Sequence, residues 1–214
     1  MGYSCDKERR VIRCVVFDFG NVLYWFDYSR FYNLVQKHSA LSADQIRDVL
    51  YDGEDALSRR LETGTIGRDE FISLLRSRAQ IDLPPEQLER HFVDIFEPNT
   101  PVVDLAAELA AVVPIALLSN TNEIHYEQYM KHTEAIKLMS AVSLSHRVGA
   151  MKPAEAIFRE VLDQLQLPAE QCVFIDDVPA YVEAARVLGF SGVHYDGAID
   201  LRRALVDLGL PLRA

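Results

Sequence analysis

The sequence predicts an α/β fold: a doubly wound parallel sheet with an all-helical insertion after its first strand. Three observations carry this. Short apolar runs, mostly β-branched or aromatic, recur at residues 11–17, 113–118, 172–175 and 192–195, with a weaker run at 141–144. Runs of this length and composition suit strands covered on both faces. Helical patterns lie between them at residues 100–111, 153–166, 179–188 and 198–208, and alternation of strand and helix argues for parallel pairing. The alternation breaks only between about residues 27 and 97, where helical periodicity continues without a convincing strand.

The first run leads into Val15-Val16-Phe17-Asp18-Phe19-Gly20-Asn21-Val22-Leu23, so a carboxylate stands at the end of a buried strand. Within the insertion, Ser42-Ala43-Asp44-Gln45 is a capping-box start for a helix through Leu50. Residues 68–79 read as a second helix, and residues 84–96, with proline in the first turn, as a third. A βα loop is usually roughly 2–6 residues long, so a segment of about seventy residues is an insertion. The predicted organisation is a core of residues 11–26 and 98–214 and a helical cap of residues 27–97. A cap over a strand's carboxyl end acts naturally as a lid.

Composition narrows the function. The 214 residues include 22 basic and 32 acidic side chains, a net charge of −10, and 49% of the chain is hydrophobic. Nucleic acid and anionic membrane both need basic patches, so neither is an expected partner. No stretch is long or apolar enough to span a bilayer. The first ten residues lack the apolar core of a signal peptide. Cys5, Cys14 and Cys172 are too few and dispersed for a disulfide framework, and the last two fall in apolar runs as buried, reduced residues. The expected setting is cytoplasmic.

In an open parallel sheet ligands collect at the carboxyl ends of the strands. Four groups fall there: Asp18, Ser119 with Asn120, Lys152, and the pair Asp176-Asp177. Each has a plainer reading. Asp18 serves equally as a turn or helix cap. Gly20 and Asn21 just beyond it tolerate unusual backbone conformations. Ser119-Asn120-Thr121-Asn122 suits a helix N-cap, and equally a phosphate cradle of hydroxyl and backbone N–H groups. Lys152 is a surface charge unless Pro153, starting the next helix, fixes its direction. Adjacent Asp176 and Asp177 repel unless a cation or capping donors offset them, and Mg²⁺ held by few carboxylates suits the arrangement.

Taken together, these motifs resemble the haloacid dehalogenase-like (HAD) hydrolase superfamily, whose core is Rossmann-type, over nearly the whole chain. Phe17-Asp18-Phe19-Gly20-Asn21-Val22, Leu118-Ser119-Asn120-Thr121-Asn122 and His125 are most similar to alpha-D-glucose-1-phosphate phosphatase-like members. The resemblance implies a Mg²⁺-dependent phosphatase acting on a small phosphorylated metabolite, such as glucose 1-phosphate, through an aspartyl-phosphate. Asp18 would be the nucleophile and a metal ligand, with the Gly20 carbonyl, Asp176 and Asp177 completing the metal site. Ser119, the Asn120 backbone and Lys152 would hold phosphoryl oxygens, and His125 would reach the substrate.

One departure stands out. Relatives usually carry a second aspartate two residues after the nucleophile as general acid and base, where this chain has Gly20. Such a loss typically costs roughly 10²–10⁴ in rate. Three explanations follow: a leaving group needing little protonation, such as a sugar hemiacetal oxygen; a substitute among Asp27, His125 and Tyr24; or binding without efficient turnover. Tyr181, where relatives often have asparagine, is expected to alter packing more than chemistry. The alternatives are a 2-haloacid dehalogenase, against which the retained Asp176-Asp177 pair speaks, and a non-catalytic phospho-metabolite-binding protein. In the cap, Tyr51, Glu54, Asp55, Arg59 and Glu62 read mostly as a solvated helix face.

Overall fold

The computed structural model describes residues 11–53 and 56–212. Cys5 and the remainder of the first ten residues, with Glu54 and Asp55 of the insertion, lie outside the described residues. The chain runs β1 (Cys14–Phe17), β2 (Tyr24–Phe26), α1 (Tyr28–Val35), α2 (Ala43–Tyr51), α3 (Leu57–Glu62), α4 (Arg68–Arg78) and α5 (Pro85–Val93). It continues with β3 (Phe96–Pro98), α6 (Thr100–Ala110), β4 (Ile115–Ser119), α7 (Glu123–Gln128), α8 (Glu134–Lys137), β5 (Ala141–Leu144) and α9 (Ser145–Val148). It ends with α10 (Glu155–Leu165), β6 (Cys172–Asp176), α11 (Pro179–Val187), β7 (Ser191–His194) and α12 (Leu201–Asp207).

Five strands form a parallel sheet in the order β5-β4-β1-β6-β7. From the central β1 the chain builds outward on one side through β4 and β5, then crosses to β6 and β7 on the other. The apolar runs are unbroken because side chains alternate between two covered faces. Val15 and Phe17 join Leu117, Val173 and Ile175 in one core, under α6, α8 and α12. Cys14 and Val16 join Leu118 and Phe174 in a second, under α10 and α11. Cys14 and Cys172 are register partners on β1 and β6, both buried and free.

Helices α1–α5 gather Phe31, Leu50, Phe71, Leu75 and Phe92 around a third core. The capping box at Ser42 forms in full: the Ser42 side chain accepts from the Gln45 N–H, and the Gln45 side chain accepts from the Ser42 N–H. Two expectations need correction. The third cap helix ends at Val93, and Phe96–Pro98 instead pairs antiparallel with Tyr24–Phe26. Aromatic packing overrides helical periodicity there: Phe96 stacks on Tyr129 and meets Phe19 edge-on, at centroid distances of 4.9 and 5.5 Å. Likewise Pro153 does not start α10. A turn closed by the Ala154 N–H donating to the Met151 carbonyl, at 2.8 Å, puts the first helical residue at Glu155.

The β2/β3 ribbon, through which the chain enters and leaves the helical layer, is tied to the sheet by buried Asn99. Its amide donates to the Val22 carbonyl at 2.8 Å and to the Tyr195 hydroxyl at 3.0 Å. Asn99→Ala leaves the buried carbonyl without its partner, and urea unfolding is expected to show a loss of about 1–3 kcal/mol.

Candidate active site

Strand register brings the polar groups together. Phe17 pairs with Leu117 on one side and Ile175 on the other, and the Asp18 N–H donates to the Ile175 carbonyl at 2.9 Å. Asp18, Ser119 and Asp176 therefore end three adjacent strands at one edge. Lys152 arrives from the loop after α9, fixed by a two-bond clamp. Asn120 Oδ1 accepts from the Lys152 N–H at 2.7 Å, and Asn120 Nδ2 donates to the Lys152 carbonyl at 3.2 Å. The Lys152 ammonium then lies 2.8 Å from Asp18 Oδ1 and 2.5 Å from Asp176 Oδ2. The Tyr181 ring packs against it, centroid 5.2 Å away.

One ammonium serves two buried carboxylates. Burial opposes the charge on Lys152, but Asp18 and Asp176 together hold its pKa above the usual lysine value. Burial pushes the Asp18 carboxyl up to about 7; Lys152 pulls it down, and the neighbouring Asp176 pushes it up again. Asp176 has the shorter contact with Lys152 and a second donor besides, the Val178 N–H at 2.8 Å on Oδ1. It thus closes the turn leading into α11 and pairs with lysine at once.

Asp177 completes the cluster: one carboxylate oxygen each from Asp18, Asp176 and Asp177 lie within 4.8 Å of one another. Asp177 accepts from the Asn21 amide at 3.0 Å. The left-handed residue of this loop is Asn21, at φ 55°, and not Gly20. Gly20 is needed for space, since a Cβ there would stand 2.7 Å from the Phe26 ring. Lys152 is the one cation paired with this cluster among the described residues. Three carboxylates against one ammonium leave an excess of negative charge that a hard divalent cation fits.

Ser119 lines a small inner cavity of ≈ 90 Å³ together with Asn120, Phe26, Tyr28, Glu62 and His125. Neither Ser119 nor Asn120 caps α7; that cap is Asn122, whose side chain accepts from the His125 N–H. His125, expected to reach the substrate, lines this cavity, but both of its ring nitrogens are bonded within the protein. Nε2 donates to the Phe92 carbonyl and Nδ1 accepts from the Asn122 amide, both at 3.0 Å. The ring is buried, stacked on Phe92, and burial pulls its pKa down to about 4. Asp27 caps α1 by accepting from the Ser29 N–H at 2.8 Å, and Tyr24 is buried, lining neither this cavity nor the outer cleft. Tyr51, Arg59 and Glu62 do face a cleft, of ≈ 820 Å³, whose opposite wall includes Lys152.

The Asp18 shift makes a stability prediction. A carboxyl whose folded pKa lies above its unfolded value contributes stability below the unfolded pKa and loses it as pH rises through the folded one. In chelator, Asp18→Asn is expected to raise the unfolding midpoint at pH 8, where wild type carries the extra buried charge. The gain should vanish near pH 4; a midpoint difference independent of pH would contradict the assignment. Lys152→Met removes the shared partner and is expected to cost about 3–5 kcal/mol in the same assay.

Comparison with known proteins agrees with this architecture. A family model described as haloacid dehalogenase-like hydrolase matches residues 12–189. A D-ribitol-5-phosphate phosphatase of Bacteroides thetaiotaomicron is 24% identical, over 91% of this chain and 97% of that protein. A phosphatase of Mycobacterium tuberculosis is 23% identical, over 91% of this chain and 92% of its own. Among solved structures, a HAD family enzyme from Bacteroides thetaiotaomicron, in complex with magnesium and inorganic phosphate, superposes with a TM-score of 0.79. It is 22% identical and covers 90% of this chain and 98% of that one. With the family match spanning most of its length, the chain belongs to the haloacid dehalogenase-like hydrolases.

Proposed function

We propose that the protein is a magnesium-dependent phosphatase that hydrolyses a small phosphorylated metabolite through an aspartyl-phosphate on Asp18. The observation that carries this reading is the Lys152 ammonium held between Asp18 and Asp176, with Asp177 in the same cluster. Phosphoryl transfer asks chiefly for positioning and charge stabilisation. Lys152, Ser119 and the Asn120 backbone N–H hold the phosphoryl oxygens, and Asp18 attacks phosphorus. Asp18, Asp176, Asp177 and the Gly20 carbonyl hold the metal, which when bound supplies the second positive charge that this acidic cluster lacks. Asp18 is then ionised, as a nucleophile must be.

The retained acidic pair favours this over dehalogenation, which in the superfamily proceeds without a metal. The names of two relatives, a ribitol-5-phosphate phosphatase and a phosphatase, point the same way. The inner cavity beside Ser119 and Asn120 is small, ≈ 90 Å³. The ≈ 820 Å³ cleft beyond it suits a sugar or polyol, glucose 1-phosphate among the candidates. The helical layer of residues 27–97 is the cap that closes over this substrate.

Hydrolysis of p-nitrophenyl phosphate is expected with Mg²⁺, lost with chelator, and reduced about 10³-fold or more in Asp18→Asn. Turnover indifferent to metal, or surviving Asp18→Asn, would defeat the reading. A panel of sugar and polyol phosphates is expected to show a clear preference within that class; a stronger preference for nucleotides would remove the sugar assignment.

A further inference from the structure

Gly20 carries no side chain and so leaves open what moves the proton in this chemistry. A Cβ at position 20 would meet Phe26 Cε1 at 2.7 Å and Cδ1 at 3.0 Å, so the exposed Phe26 ring would have to swing aside for one. The substitutes named from sequence are otherwise placed, since Asp27 caps α1, the buried Tyr24 lines neither the inner cavity nor the outer cleft, and both nitrogens of His125 are bonded within the protein.

Two titratable side chains on the inner cavity wall remain, Tyr28 and Glu62. Burial drives the Tyr28 phenol well above its usual pKa, with smaller pushes from Tyr51 and Glu62. It stays protonated and cannot cycle at neutral pH. Glu62 differs. It ends α3, where the helix dipole disfavours a negative charge. It is also the one residue that lines both the inner cavity with Ser119 and the outer cleft with Lys152. It therefore faces both Ser119 and Lys152, two of the groups that hold the phosphoryl oxygens in this reading.

We infer that Glu62, reaching down from the helical insertion, is the general acid and base of this site. The inference rests on the phosphatase reading. As Asp18 Oδ bonds to phosphorus and the P–O bond to the leaving group breaks, the Glu62 carboxyl gives its proton to the departing oxygen. As water then attacks the aspartyl-phosphate, the Glu62 carboxylate takes a proton from that water. Phosphate departs, and Asp18 and protonated Glu62 are restored.

The surroundings of Glu62 suit both states. Burial pushes its carboxyl up to about 7. The groups facing it are Tyr28 on α1, Tyr51 on α2 and His125 on α7, all neutral at that pH, with Arg59 and Lys152 along the outer cleft. An acid with a pKa near the working pH can give a proton in one step and take one in the next.

The test is Glu62→Gln, compared with wild type on two esters in Mg²⁺. Phenyl phosphate releases a phenolate that needs a proton; p-nitrophenyl phosphate releases one that does not. The variant is expected to lose about 10²-fold in kcat/KM on phenyl phosphate, and the ratio of the p-nitrophenyl to the phenyl ester should rise at least tenfold. Glu62→Asp should recover part of the loss. With phenyl phosphate the wild-type kcat/KM should fall above about pH 7 as Glu62 ionises, and that limb should be absent from Glu62→Gln. An unchanged ratio, or the same alkaline limb in the variant, overturns the role of Glu62 while leaving the phosphatase intact. Wild type inert toward both esters overturns the phosphatase reading and the inference with it.

Discussion

A single ammonium shared between two strand ends is the constraint on which the site depends. Lys152 sits within hydrogen-bond distance of Asp18 and Asp176, on β1 and β6, and itself comes from the loop beyond β5. Three separate stretches of chain meet at one charge, and all are buried. Charges so placed are costly unless geometry and further hydrogen bonds compensate. The compensation is visible in the Asn120 clamp on the Lys152 backbone and in the Val178 N–H on Asp176. It remains incomplete, and the raised pKa of Asp18 is its measure. A site left short of positive charge in this way is primed for a cation and a phosphoryl group together.

Most of the core was legible because a parallel sheet writes its pattern plainly. Runs buried on both faces stay apolar throughout, so the polar residue that ends each one stands out. Asp18, Ser119 and Asp176 were visible for this reason, and register alone makes them neighbours. Ser42 and Gln45 were equally legible, since a capping box is a local interaction. Residues 94–98 were not. Phe96 fits the helical period of α5 but is held in a ribbon by Tyr129 and Phe19, which are distant in sequence.

The same distinction separates the site residues that sequence reasoning placed from those it did not. His125 follows the phosphate loop and invites a substrate role, yet its hydrogen bond to the Phe92 carbonyl makes it a bolt between α7 and α5. Nothing near His125 in sequence announces Phe92. Glu62 lies among Arg59, Arg60 and other polar residues that resemble a solvated face, and only the fold of the insertion turns it inward. Gly20 stands out in the sequence as a missing aspartate, but the Phe26 ring that packs against it is placed by the β2/β3 ribbon.

These observations bind the helical insertion more closely to the chemistry than a passive cover would be. The Gly64 turn after α3 meets the core at α9, where a Cβ would come within 2.3 Å of the His146 carbonyl. Only a glycine permits that approach, and Gly64 also has a φ of +66°. The contact seats the end of α3, and with it Glu62, against the core. Had the proton donor remained on the Asp18 loop, it would be in place whether or not the insertion were seated. With the donor on the insertion, nucleophile and acid meet only when the layers are together. Proton transfer and exclusion of water then become a single event, set by how the insertion closes on its substrate.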